Sequence, residues 1–271
     1  MLLPLHLSLA TTISLSYVGF LYAFDYNGTD RNHPKSIKRR FCGAVVCNLI
    51  SILTTYILLA QHHAQPLAVM GLHTRGMYAA FIFSLLLTSC CYLGNWVMLW
   101  YDGQIEAYFD FTEWRISFTS LPWFRDNVMA PITEELAFRA CAASLIREVF
   151  SPLFTIAVAP LPFSLSHFHH VFDDAKKGSD IWSAMRRRAF QALYSYVFGC
   201  YATFLFVRTE NIISAIVSHS ICNGMGLPMF NYIEQYQSRL TRVVLWSSHI
   251  TGFCIFLLLL MPLTEPYLYT A

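Results

Sequence analysis

Three short groups of acidic, histidine and amide residues are the part of this sequence that could carry chemistry. They comprise seven residues: Glu134, Glu135, Arg139, Phe163, His167, His219 and Asn223. In each group two members lie four residues apart, and this spacing places them on one face of an α-helix. A carboxylate, two histidines and an amide are together sufficient to hydrolyse a peptide bond with an activated water molecule.

Glu134 is the carboxylate that this spacing leaves available. Glu135 and Arg139 can form an ion pair because they are four residues apart, whereas Glu134 lies about 100° around the helix from Glu135. A glutamate that is partly removed from water is a stronger base and can take a proton from a water molecule. A histidine can then orient that water, and a second histidine with an asparagine amide can stabilise the negative oxygen of the tetrahedral intermediate.

Each group also has a simpler interpretation. Acidic residues are common near the N-terminus of a helix, where the helix dipole stabilises them. Histidine and asparagine side chains on membrane helices often only hydrogen-bond to a neighbouring helix. The catalytic interpretation is favoured because ionisable residues within apolar segments are costly, and here they occur in three segments at compatible depths.

The composition predicts that these segments cross a membrane. Hydrophobic residues make up 56% of the 271 residues and charged residues only 13%, whereas an average soluble domain is about 25% charged. The net charge of +2, without a basic domain, argues against a nucleic-acid partner. The eight cysteines form no CxxC pair and no regular framework, so neither a zinc ribbon nor a disulfide scaffold is predicted.

The apolar runs predict an all-α protein, a polytopic membrane bundle of about eight transmembrane helices. A helix needs about 20 apolar residues to cross the hydrocarbon core. The predicted spans are residues 3–24, 41–61, 77–100, 128–148, 151–171, 189–207, 211–231 and 243–262. We expect a single transmembrane domain over residues 1–271, with the three groups in spans four, five and seven.

The loop charges predict the orientation of the bundle. Most of the 18 Lys and Arg residues fall in the loops after spans one, three, five and seven, and such residues accumulate on the cytoplasmic side. The three groups can then meet between the membrane midplane and the cytosolic surface. The glycosylation sequon Asn27-Gly28-Thr29 also falls on the cytosolic side, so we expect Asn27 to carry no glycan.

The type II CAAX prenyl proteases, the Ras-converting endopeptidases of the endoplasmic reticulum, are the family that the three groups resemble in order and spacing. The matching motifs are Glu134-Glu135-x-x-x-Arg139, Phe163-x-x-x-His167 and His219-x-x-x-Asn223. The resemblance covers residues 130–225, and the eight-span layout also agrees. The run from Ser166 to His170 is similar to the eukaryotic branch rather than to bacterial relatives.

The resemblance implies an intramembrane endopeptidase that removes the C-terminal tripeptide (aaX) after a farnesylated or geranylgeranylated cysteine of CAAX proteins such as small GTPases. It also implies a cytosol-facing site in the endoplasmic reticulum membrane, with no cofactor and no metal. The roles that it implies are Glu134 as the base, His167 as the residue that orients the water, His219 and Asn223 as the oxyanion site, and Glu135, Arg139 and Phe163 as supporting residues.

Three alternatives remain open on the sequence alone. Glu134, His167 and His219 could be zinc ligands, although the HExxH pattern of zinc peptidases is absent. Cys222, three residues after His219, could be the nucleophile of a thiol peptidase, although nothing indicates an ionised thiol. The charges could also form a relay in a transporter or a structural cluster in a membrane scaffold, although the sequence shows no internal repeats.

Overall fold

Every regular element in the described part of the structure is a helix. The computed structural model describes residues 2–28, 30–169, 171, 174–175, 178 and 180–270. The prediction of an all-α protein is therefore confirmed, whereas the extent of a single domain stays a prediction. Thr29 of the sequon and His170 at the end of the run that starts at Ser166 lie outside the described residues.

Two long apolar helices begin the chain and pack against each other. They are α1 (Leu2–Phe24) and α2 (Pro34–Leu59). Proline suits the first turn of α2, where its missing N–H is not needed, and the side chain of His33 caps the helix. The connecting loop carries the buried Asp25, whose Oδ2 lies 2.9 Å from Nε of Arg40 in α2.

The third predicted span is bent rather than straight. Helix α3 (Met77–Cys91) is followed by helix α4 (Leu93–Tyr101), and their axes differ by 68°. A short helix, α5 (Phe111–Thr119), comes next and contains no buried residue. These elements lie in the half of the chain that precedes the first motif.

A composite helix, here called α6, carries the first motif and runs without a break. Its consecutive segments are Leu121–Phe124, Arg125–Met129, Ala130–Glu135, Leu136–Ala143 and Ser144–Arg147. The second and fourth segments are π-helical, a widened geometry that is frequent at functional sites. Residues 137–143 are all buried and mostly small, so that α1 and α2 can pack closely against them.

After α6, the described residues form five helices of at least seven residues. They are α7 (Pro152–Val158), α8 (Pro160–Ser166), α9 (Ile181–Thr209), α10 (Ile212–Met225) and α11 (Arg239–Leu260). Helix α8 packs against α9 and is continued by a 3₁₀ turn. Helix α10 packs against α3, α6 and α9, and this position brings the third motif next to the first.

Helix α10 is fastened to the preceding half of the chain at both ends. At its start, Asn211 caps the helix and donates from Nδ2 to the carbonyl oxygen of Arg75 at 3.0 Å. At its end, Gly226 adopts a left-handed φ of 66°, a conformation that favours glycine at helix ends. The hydroxyl of Tyr92, at the bend between α3 and α4, donates to the carbonyl oxygen of Gly226 at 2.8 Å.

Within the described ranges of the chain, five helices are long and apolar enough to cross a membrane. They are Leu3–Phe24, Pro34–Leu59, Ile181–Thr209, Ile212–Ile233 and Arg239–Leu260. The bent pair of α3 and α4 makes a sixth if it counts as one span. The predicted count of eight is therefore not confirmed, because the fourth and fifth predicted spans correspond to α6 and to the short helices α7 and α8.

Candidate active site

One cavity brings together the four residues that the sequence predicts to be catalytic. It has a volume of about 380 Å³ and is bounded by residues of α1, α2, α6 and α10 and of the 3₁₀ turn after α8. Glu134, His167, His219 and Asn223 all line it. Three motifs that are distant in the sequence therefore meet at one pocket, whose size is typical of small-ligand sites.

Glu135 is the centre of a buried ionic cluster beside this cavity. Its Oε1 lies 2.9 Å from Nη1 of Arg139 and 2.7 Å from Nδ1 of His219. The side chains of Glu135 and Arg139 are 0% and 1% exposed, and buried charges are stable only when they are paired. The ion pair that the sequence spacing predicts is present, and Glu135 also holds the imidazole of His219.

Glu134 has different surroundings from its neighbour in the chain. Its side chain is 24% exposed and lines the cavity. Its Oε2 lies 3.8 Å from Nε2 of His219, a distance too long for a hydrogen bond. The carboxylate of Glu134 is thus accessible from the cavity, whereas that of Glu135 is not.

His219 stands between the two carboxylates. We assign the proton of its neutral ring to Nδ1, because this nitrogen lies within hydrogen-bond distance of the Glu135 carboxylate. Nε2 is then the nitrogen that approaches Glu134. The imidazole packs against the rings of Phe198 and Phe163, with centroid distances of 4.9 and 6.0 Å, and these contacts fix its orientation.

His167 begins the turn after α8, and its ring is held by Phe163. Nδ1 of His167 donates to the carbonyl oxygen of Phe163 at 3.1 Å, and the two ring centroids lie 5.4 Å apart. The buried ring of Phe163 also lies 4.7 Å from the guanidinium carbon of Arg139. Phe163 therefore contacts members of all three motifs, since it packs against His219 as well.

Asn223 lies near the end of α10, where it links this helix to α6. Its Nδ2 donates to the backbone carbonyl oxygen of Asp126 at 2.7 Å. An asparagine amide carries two hydrogens, so this bond leaves one for a ligand. Because Asp126 belongs to a π-helical segment, the bond fixes the widened part of α6 next to the third motif.

Two residues that position the site do not belong to any motif. The hydroxyl of Tyr17 in α1 lies 2.8 Å from Oγ1 of Thr133, and Nδ2 of Asn48 in α2 donates to the carbonyl oxygen of Thr133 at 3.1 Å. Thr133 directly precedes Glu134. The position of Asn48 within an apolar helix indicates a buried polar contact, because an amide is costly to bury without a partner. A single tyrosine such as Tyr17 gives no comparable signal.

Arginines also line the cavity, although the sequence pattern predicts only a contribution to membrane orientation for such residues. They are Arg31, Arg40 and Arg125. A basic residue beside a membrane span has this ordinary explanation, so its position gives no indication of a second role. In the structure these three side chains make one side of the pocket positively charged.

The alternatives of a metal site and a thiol nucleophile gain no support from the geometry. Within the described ranges, no three His, Cys, Asp or Glu side chains form a group that could hold a metal ion. Glu134, His167 and His219 share the cavity without forming such a group. The described residues that line the cavity do not include Cys222.

Known proteins resemble this chain over nearly its whole length. The family model described as Type II CAAX prenyl endopeptidase Rce1-like matches residues 116–225, which contain all three motifs. The protein named CAAX prenyl protease 2 from Caenorhabditis elegans is 40% identical over 92% of this chain and 93% of its own length. Proteins of the same name from Homo sapiens and Saccharomyces cerevisiae are 34% and 27% identical, over 95% and 93% of this chain and 80% and 90% of their own lengths. No solved structure matches the chain significantly.

Proposed function

Because the chain belongs to the Rce1-like family of type II CAAX prenyl endopeptidases, we propose that it removes the C-terminal tripeptide from prenylated CAAX proteins with a water molecule activated by Glu134. The contrast between two adjacent glutamates carries this mechanism. Glu135 is buried and paired with Arg139 and His219, whereas Glu134 is accessible from the cavity. The pairing leaves Glu134 as the carboxylate that can reach a water molecule.

In the proposed reaction, Glu134 takes a proton from a water molecule that His167 orients. The oxygen of this water bonds to the carbonyl carbon of the prenylated cysteine, and a tetrahedral intermediate forms. Glu134 then returns the proton to the amide nitrogen as the C–N bond breaks, so the tripeptide leaves with a neutral amine. The ring contact between His167 and Phe163 supports this role, because it holds the imidazole at the cavity.

The negative oxygen of the intermediate would be bound by His219 and Asn223. Asn223 has one amide hydrogen left after its bond to Asp126. Nε2 of His219 donates when the ring carries its second proton, since Nδ1–H is directed to Glu135. Fixed donors of this kind act more strongly in a pocket from which water is excluded than in bulk water.

The substrates in this proposal are prenylated proteins such as small GTPases, cleaved at the cytosolic face of the endoplasmic reticulum membrane. Val18 and Leu21 of α1 line the cavity together with Glu134, so an apolar wall lies beside the polar groups. This combination fits a substrate whose farnesyl or geranylgeranyl chain lies in the bilayer while its peptide enters from the cytosol. The Lys and Arg residues in the loops after spans one, three, five and seven support this cytosolic orientation of the site.

Cleavage of a farnesylated C-terminal peptide by the purified protein tests the proposal. We expect the wild type to release the tripeptide, and Glu134→Gln to lower kcat/KM by about 10²- to 10⁴-fold, because it removes the general base at constant shape. Glu113→Gln removes a carboxylate from the exposed helix α5 and is the matched control, with unchanged activity.

Three outcomes would contradict the proposed mechanism. Loss of wild-type activity on treatment with a metal chelator, and its recovery with zinc, would support a zinc peptidase. Wild-type activity in Glu134→Gln would exclude the proposed base, and absence of cleavage by the wild type would return a transporter or scaffold to consideration.

A further inference from the structure

Arg40 is a cavity residue most of whose hydrogen-bond donors have no partner among the residues that the structure describes. Its Nε donates to Oδ2 of Asp25 at 2.9 Å, and its guanidinium carbon lies 5.4 Å from the centroid of the Tyr22 ring. Its two terminal amino groups make no hydrogen bond to any residue that the structure describes. The side chain is only 16% exposed, so these donors are largely shielded from bulk water although they border the cavity.

The other two arginines of the cavity come from different segments and reinforce its positive side. Arg125 donates to both carboxylate oxygens of Asp126, at 2.7 and 2.9 Å. Its Nη1 also donates to the backbone carbonyl oxygen of Arg31 and to Oδ1 of Asn32, each at 3.0 Å. Arg125 therefore pairs with Asp126 through Nε and Nη2, and its Nη1 holds the loop between α1 and α2 so that Arg31 stays at the cavity.

The like charges in this region repel one another. Burial and the positive charge of Arg125 lower the pKa of Arg31, with smaller contributions from Arg40 and Arg188, while Asp126 acts in the opposite direction. An anion that binds beside these arginines would reduce this repulsion. Among the described residues, the acidic ones that line the cavity are Asp126, which is already paired with Arg125, and Glu134.

The spacing along α2 relates this positive side to the reacting centre. Arg40, Ala44 and Asn48 recur every four residues and so lie along one face of the helix, and eight residues correspond to a rise of about 12 Å. Asn48 contacts the carbonyl oxygen of Thr133, the residue before Glu134. Three extended residues span about 10 Å. The rise along α2 between Arg40 and Asn48 is therefore comparable to the length of a tripeptide.

We propose that Arg40, with Arg31 beside it, binds the C-terminal carboxylate of the peptide substrate and so fixes cleavage at three residues from the end. This inference rests on the proposed function. A planar guanidinium can bind a carboxylate through two parallel hydrogen bonds, which gives direction as well as affinity. The C-terminal carboxylate of the substrate would lie at Arg40 and the scissile carbonyl at Glu134. Binding at Arg40 would then determine which peptide bond reaches Glu134.

Cleavage of two matched farnesylated peptides, one with a free C-terminal carboxylate and one with a C-terminal amide, tests this assignment. The assay uses purified full-length protein in an uncharged maltoside detergent, so that no lipid phosphate competes for the arginines. We expect the wild type to cleave the amide with a kcat/KM about 10- to 100-fold below that of the acid, the range for loss of a hydrogen bond to a charged group.

The variants separate recognition from stability. Arg40→Gln is expected to abolish the preference for the acid, because its effect falls on the acid peptide and not on the amide. Arg39→Gln is the matched control: Arg39 precedes Arg40, also approaches Asp25, and does not line the cavity among the described residues, so the preference is expected to persist. Arg40→Lys, which keeps a charge for Asp25, is expected to retain part of the preference.

Equal cleavage of both peptides by the wild type would overturn the carboxylate site while leaving the peptidase proposal intact. A preference unchanged in Arg40→Gln, or lost to the same degree in Arg39→Gln, would also overturn it, and a loss of folding would instead lower both activities together. If the wild type cleaves neither peptide, the proposed function fails and the carboxylate site fails with it.

Discussion

Glu134 and Glu135 are consecutive residues with the same side chain, and their surroundings alone distinguish them. Glu135 is enclosed with Arg139 and His219, which both lie within hydrogen-bond distance of its carboxylate. Glu134 lies on the adjoining face of α6 and borders the cavity. At the scale of the residue, helix geometry thus separates a carboxylate that organises the site from one that can react.

The burial of the Glu135–Arg139 pair predicts that Arg139 contributes more to the stability of the fold than an exposed arginine does. Arg139→Met removes the partner of a fully buried carboxylate, and breaking a buried pair costs about 3–5 kcal/mol. Arg242→Met breaks the exposed pair with Glu234 and is expected to cost less than about 1 kcal/mol. Thermal unfolding of the purified proteins in detergent measures the difference. Equal melting temperatures of the two variants would contradict the role of the cluster.

At the scale of the element, α6 is the helix on which the site is assembled. Its segment Ala130–Glu135 carries both glutamates and lies between two π-helical segments. Helices α1 and α2 reach this segment through Thr133, and α10 reaches it through Glu135 and reaches the preceding segment through Asp126. The position of the candidate base is therefore set by hydrogen bonds between helices as well as by the helix that carries it.

Tyr17→Phe tests this positioning by removing one interhelical hydrogen bond. Hydrogen bonds between membrane helices contribute about 0.6 kcal/mol on average, so we expect kcat/KM to fall by about threefold if the bond holds the catalytic geometry. Stability should change little, because Oγ1 of Thr133 still donates to the carbonyl oxygen of Met129. Tyr78→Phe, at an exposed site on α3, is the control. Unchanged kcat/KM in Tyr17→Phe would exclude a positioning role.

Long apolar helices were predictable because their signal is local. The predicted spans 3–24 and 243–262 agree with α1 and α11 within a few residues. Helix α9 begins at Ile181, eight residues before the predicted span, because arginine and alanine favour a helix that hydropathy does not detect. The bend after α3 was not predictable, since its hydrogen bond joins Tyr92 to a residue far along the chain.

The candidate site was predictable to the extent that its residues are unusual where they occur. Acids and histidines within apolar segments are costly and therefore noticeable, and the order of the motifs added specificity. Tyr17 and Arg40 are ordinary residues at their positions in the sequence. Their relation to Glu134 depends on the packing of α1 and α2 against α6, which no local pattern contains.

At the scale of the whole molecule, the orientation in the membrane is the open prediction. We expect a membrane-impermeant maleimide to label Lys35→Cys in sealed microsomes whose cytosolic face is outward, because this position follows α1. Gln61→Cys, after α2, should be labelled above the wild-type background only once detergent is added. Both positions are exposed in the structure. The reverse pattern, or a glycan on Asn27 detected by N-glycosidase treatment, would invert the topology.

The fastening of α10 at both ends has a consequence for how the protein responds to its lipid surroundings. Membrane helices commonly adapt to a thinner or thicker bilayer by tilting. Because Asn211 and Gly226 are tied to Arg75 and Tyr92, α10 can tilt only together with α3. Helix α11, with 17% of its most apolar stretch buried, is the least enclosed of the five long apolar helices in the described part of the chain. We therefore expect a change in bilayer thickness to tilt α11 more than α10, while the separation of Glu134 and His219 stays nearly constant.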